Sequence, residues 1–324
     1  MLEKLKFGFY WAASCGGCEV AVLDIDEKIL DVLNIADIVF WPVAMDVKYK
    51  DVEAMPDSFM DVCFFNGAVR MEEQEDMAKL LRRKAKTLIA FGTCAYMGGI
   101  PGLANLSNRR EVFDRVYLHS PSTVNPAMVV PEVAVEMKEG VLKLPEFYDT
   151  VKALDQVVEV DYYVPGCPPP PALITDAIQA ISEGNLPPKG AILAPPKSVC
   201  DECPRIREEK KIPEIKRIID FEPDPEKCLL EQGILCMGPA TRGGCDARCL
   251  KANMPCTGCG GPCPEAIEQG SAMISALSTV LGLASEKEED FDPEALIEQL
   301  KDPVGTFYKY GLPSSLINRR VTDK

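Results

Sequence analysis

Fourteen cysteines stand in a chain of 324 residues that has a single histidine. Cys15 and Cys18 form a pair across two glycines, Cys94 and Cys167 stand singly, and nine cysteines crowd between Cys200 and Cys263. Twelve of the fourteen divide into three groups of four. Four thiolates are the ligand set of a cubane iron–sulfur cluster, so three such centres would make the chain an electron wire. Four thiolates also hold a tetrahedral zinc ion, and spacing alone does not separate iron from zinc in the second half. A zinc module, however, gives Cys15, Cys18, Cys94 and Cys167 no role. A thioredoxin-like redox pair at Cys15 and Cys18 leaves Cys94 and Cys167 unexplained. Cys63 lies inside an apolar run and reads as core.

Composition narrows the setting. The length predicts two domains with room for a large core, and 47% hydrophobic residues mark a globular chain. No apolar run reaches bilayer length. The opening MLEKLKFGFYWAAS lacks the charged leader and cleavage site of a signal peptide. We therefore expect a cytoplasmic protein, where dense cysteine points to metal or redox chemistry rather than disulfides. A net charge of −15 with no basic face argues against nucleic acid as a partner. The acidic run Glu286–Asp290 reads as a solvated segment.

The elements that must position the cysteines alternate in type. Residues 5–13, 36–43, 60–67, 87–92 and 157–166 read as short strands. Residues 16–33, 71–85 and 172–184 read as helices from their apolar spacing. The helix at 71–85 has acids early and bases late, as its dipole favours. This alternation predicts an α/β, flavodoxin-like doubly wound parallel sheet over residues 1–188. Sites in such sheets form beyond the carboxyl ends of the strands, and Cys15, Cys94 and Cys167 each fall just past one. The proline-rich segment 186–198 reads as a linker. Beyond it, residues 189–324 predict a mostly irregular, cysteine-rich domain with a helix at 264–284. Metal binding would supply the order that a sparse core cannot.

Local composition supports the same chemistry. Glycines beside Cys15, Cys18 and Cys94 permit sharp turns and offer N–H groups to sulfur, which tunes reduction potential. Prolines stiffen the Cys167 loop. Glu19 suits either a proton relay or an ordinary first-turn acid. His119 reads as a loop residue, and Arg205 and Arg242 as surface residues that could also dock a partner or balance cluster charge. No Walker or Rossmann pattern is present.

The motifs SCGGCE, FGTCAYMGG, PGCPPPP and CMGPATRGGC…CTGC together resemble the small, or gamma, subunit of nickel–iron hydrogenases. The likeness spans most of residues 5–263, keeps the family's order of motifs, and is strongest to the cytoplasmic methyl-viologen-reducing type of methanogenic archaea. The resemblance implies three 4Fe-4S clusters. Cys15, Cys18, Cys94 and Cys167 would hold the proximal one, Cys245, Cys249, Cys256 and Cys259 the medial one, and Cys200, Cys203, Cys228 and Cys236 the distal one. Cys200 replaces the histidine common at the distal site. Cys249 replaces a proline that leaves three irons at the medial site, which implies four here. Cys263 competes with Cys259 and Cys249. The resemblance further implies a nickel–iron large subunit as partner, which holds the catalytic metal, so no residue here is catalytic. It also implies a small iron–sulfur adaptor of heterodisulfide reductase as acceptor. A deazaflavin-reducing hydrogenase would use a similar subunit. A respiratory complex I subunit would carry adjacent cysteines at the first site.

Overall fold

Five strands, Leu5–Trp11 (β1), Ala36–Phe40 (β2), Met60–Asn66 (β3), Ala85–Phe91 (β5) and Tyr162–Val164 (β9), pair in parallel in the order β2-β1-β3-β5-β9. They belong to a computed structural model that describes residues 4–208, 212, 214–281 and 298–320. Side chains alternate across the sheet, as a period of two requires. Phe7, Phe9, Val62, Phe64, Ile89 and Phe91 face one core, while Tyr10, Cys63, Phe65, Leu88 and Ala90 face the other. Helices Gly17–Leu23 (α1), Lys28–Ile35 (α2) and Pro171–Ser182 (α7) cover the first face, and Tyr49–Ala54 (α3) and Glu72–Lys84 (α4) the second. The expected doubly wound α/β fold is thus present, and all five strands send their carboxyl ends to one rim.

Several boundaries differ from expectation. The helix read over 16–33 is two helices, broken where Asp26 turns left-handed at φ 56°, a conformation Asp tolerates. The strand read over 157–166 shrinks to three residues. Ahead of it, Val157, Val158 and Val160 pack into the second core. Asp161 then closes the strand edge, its carboxylate accepting from Leu88 N–H at 2.7 Å. The proline-rich linker is pinned along β9: Tyr163 N–H donates to Ala191 O and Leu193 N–H to Tyr163 O.

Between β5 and β9 lie elements that periodicity did not reveal. Thr93–Met97 (α5) leads into a 3-10 segment at Ile100–Leu106 and Arg109–Phe113 (α6). An exposed antiparallel hairpin follows, Ala134–Met137 (β6) and Gly140–Lys143 (β7). Phe147–Lys152 (β8) then pairs with Val69–Met71 (β4). Past residue 198 the described residues are mostly turns, with helices Arg248–Lys251 (α8), Gln269–Val280 (α9) and Pro303–Phe307 (α10) among them. The helix expected at 264–284 starts at Gln269, where the Glu268 carboxylate accepts from the N–H groups of Gly270 and Ser271. A third core gathers Leu229, Leu230, Ile234, Met273, Leu277 and Phe307 with several of the cysteines. The run Glu286–Asp290 lies outside the described residues, and none of the described helices is long and apolar enough to cross a membrane.

Candidate metal centres

The rim of the sheet assembles the first four thiols. Cys15 and Cys18 follow β1, with Cys18 in the first turn of α1; Cys94 sits in α5 after β5; Cys167 follows β9. Burial pushes the Cys18 thiol up, and its neighbours Cys94, Cys167 and Cys15 push it further. Cys94 rises to about 12 by burial and by Cys167 and Cys15. Backbone donors lie near the sulfurs: Gly17 N–H is 3.4 Å from Cys15 Sγ, and the Ile100 amide opposes the rise of Cys94. Glycine is required at two points here. Gly92 has φ 83° and a Cβ on it would overlap the Cys18 sulfur; Gly99 has φ 57° and its Cβ would sit 2.5 Å from the Cys94 sulfur. Glu19 is 6% exposed, accepting from Trp41 Nε1 and, at 2.6 Å, from Asn66 Nδ2. Burial raises its carboxyl, and these two donors oppose the rise. It is a first-turn acid of α1, as one of the two expectations had it, and a buried, bonded one.

The second half brings together two more quartets. Cys200, Cys203, Cys228 and Cys236 line a cavity of about 360 Å³. Cys200 is raised to about 12, first by burial and then by Cys236, with Cys228 and Cys203 adding. Cys245, Cys249, Cys256 and Cys259 line a second cavity of about 250 Å³, with Cys167 on its wall. Cys259 also rises to about 12 through burial. Cys263 is buried, lines neither cavity, and packs where its own N–H bonds Ala240 O. Cys63 is buried in the second sheet core.

These donor sets fit a multinuclear centre. Among the described residues no three His, Cys, Asp or Glu side chains converge on a point as a single ion demands. Instead the second and third quartets ring cavities. Buried thiols that raise one another stay protonated alone; bound iron would supply the missing positive charge and displace those protons.

The quartets touch one another through backbone. The Cys167 amide lies close enough to the Cys259 sulfur, and the Cys256 amide to the Cys236 sulfur, to oppose the rise that burial causes in each thiol, and Met237 N–H donates to Cys256 O at 2.9 Å. Thr93 joins the halves as well: its hydroxyl donates to Cys259 O at 2.6 Å and accepts from Gly166 N–H at 3.1 Å. Sequence reasoning passed over Thr93, although its place between Gly92 and Cys94 marks it. Arg205 corrects a second expectation. It is 7% exposed rather than at the surface and lines the cavity of Cys200, Cys203, Cys228 and Cys236, while Arg242 lines that of Cys245, Cys249, Cys256 and Cys259. His119 is exposed, as expected of a loop residue.

The chain has counterparts among known proteins. The family described as NADH ubiquinone oxidoreductase, 20 Kd subunit, matches residues 15–181. The iron-sulfur subunit of the F420-non-reducing hydrogenase of Archaeoglobus profundus is 44% identical over 98% of this chain and 99% of its own. The corresponding subunit of the F420-non-reducing hydrogenase of Methanothermobacter thermautotrophicus is 39% identical over 99% and 98%. The oxidised NiFeSe hydrogenase of Desulfovibrio vulgaris Hildenborough shares the fold, with a TM-score of 0.50 at 18% identity over 82% of this chain and 95% of that one. The chain belongs to the family of these F420-non-reducing hydrogenase subunits.

Proposed function

We propose that this chain relays electrons from dihydrogen, split at a nickel–iron centre in a partner large subunit, through three 4Fe-4S clusters. The observation that supports this reading is the row of three thiol groups: Cys167 stands on the wall of the cavity lined by Cys245, Cys249, Cys256 and Cys259, and Cys256 neighbours Cys236. Cys15, Cys18, Cys94 and Cys167 would hold the proximal cluster, Cys245, Cys249, Cys256 and Cys259 the medial, and Cys200, Cys203, Cys228 and Cys236 the distal. Each cluster, when bound, supplies a one-electron couple. The protein's own part is placement: it fixes the sulfurs, directs N–H groups at them, and insulates them. Cys15 is the exposed member of the first quartet, and the large subunit would dock over it.

The acceptor we propose is a small iron–sulfur adaptor of heterodisulfide reductase, in the cytoplasm. Relatives named as F420-non-reducing weigh against a deazaflavin-reducing enzyme. The test is iron and sulfide analysis of the purified complex, corrected for the large subunit. About twelve iron per chain is expected from three cubanes; about eight or fewer would overturn the three-cluster reading. Purification without a nickel-containing large subunit would overturn the hydrogenase role itself.

A further inference from the structure

Arg205 is a buried cation in a strongly acidic chain. Its guanidinium donates to Leu250 O at 2.9 and 3.2 Å, Asp224 O at 2.8 Å, Lys227 O at 2.9 Å and Asn253 Oδ1 at 2.6 Å. All four acceptors are neutral, and among the described residues no carboxylate forms an ion pair with it. A charge removed from water is costly unless a counter-charge lies near. Arg205 lines the cavity ringed by Cys200, Cys203, Cys228 and Cys236, and a thiolate quartet there would supply that counter-charge. Two of its acceptors also adjoin proposed ligands: Lys227 O precedes Cys228, and Leu250 O follows Cys249.

We infer that Arg205 is the buried counter-charge of the distal quartet and raises the reduction potential of the centre held there. This rests on the ligand assignment proposed above. Reduction brings one electron and one added negative charge into the cavity, and a fixed cation stabilises that form. Arg207 and Glu231 line the same cavity. Arg207 is exposed, where water and salt weaken its charge, and it also acts on Cys200 in the favourable sense. The Glu231 carboxylate accepts from Glu208 N–H and would act in the opposite sense. Both are unchanged in the variants below, so a difference between them reports on position 205.

The test is potentiometric titration of the intact complex, followed by electron paramagnetic resonance, with Arg205→Gln and Arg205→Lys. Arg205→Gln should lower one potential of three, shifting its reduced-to-oxidised ratio on the order of tenfold, 59 mV for a one-electron couple. Arg205→Lys, which keeps the charge, should stay near the parent value. Unchanged potentials in a fully loaded Arg205→Gln would overturn the inference. If that variant fails to load its iron, Arg205→Lys decides: a potential near the parent supports a charge role, and a fall in potential overturns it. Cys203→Ala identifies the signal concerned. Should Cys203→Ala remove no cluster, the ligand assignment fails and not the electrostatic argument.

Discussion

A Cβ on Gly92 would overlap the Cys18 sulfur, and its φ of 83° already disfavours an L side chain. Backbone strain of that kind costs about 1–3 kcal/mol, and the overlap falls on a proposed ligand. Gly92→Ala should therefore lose the first centre, with iron falling by about a third relative to three filled cubanes, measured against protein concentration. Cys249 and Cys263 separate in the same assay. Cys249 lines the second cavity and is exposed, while Cys263 is buried away from both. Cys249→Pro should reduce iron by about one atom per chain, as a three-iron centre requires. Cys263→Ala should leave iron unchanged and cost about 1 kcal/mol of stability, as ordinary core changes do.

At the level of elements, Asp161 holds the last strand in place. It is 1% exposed and bonds Arg82 at 2.6 Å, Lys189 at 2.6 Å and Leu88 N–H at 2.7 Å. Burial alone would raise its carboxyl, but these partners outweigh burial and hold it below the ordinary range. The unfolded carboxyl titrates near pH 4, and the folded one lower. Its contribution is thus full above about pH 4 and lost as pH falls through the folded value. Asp161→Ala should cost about 1–3 kcal/mol, since it strands the buried Leu88 N–H. The loss of melting temperature should be large at pH 7 and shrink toward pH 3. The carboxylate's pairing explains why the strand was overread. A run such as VVEVDYYV carries strand composition throughout, yet only Tyr162–Val164 finds a partner strand. The strands, the rim and the cysteines past each strand end were legible because period-two burial and glycine punctuation are local. The hairpin at 134–143 was not, because all eight of its paired residues are exposed and carry no inward stripe. Nor was the burial of Arg205, which depends on carbonyls about 20 to 45 residues away.

Across the whole molecule, two hydrophobic cores build the sheet and a third is threaded with cysteine. Stripping iron with a chelator under reducing conditions should leave the sheet's circular dichroism largely intact. It should expose residues 199–263 to trypsin, because metal binding there stands in for a core. Thr93→Val should loosen the junction between the halves: it removes one bond to Cys259 O and strands the Gly166 N–H, worth about 1–3 kcal/mol. Calorimetry of the loaded protein should then show two transitions drawing apart. The Cys167 and Cys256 peptides have a consequence for biogenesis. Each carries a thiol of one proposed quartet and lies beside a sulfur of the next, so ordering one site pre-shapes its neighbour. Filling should be cooperative, and an immature preparation should be a mixture of empty and fully charged chains. Native mass spectrometry should find two populations, with few molecules holding one or two centres.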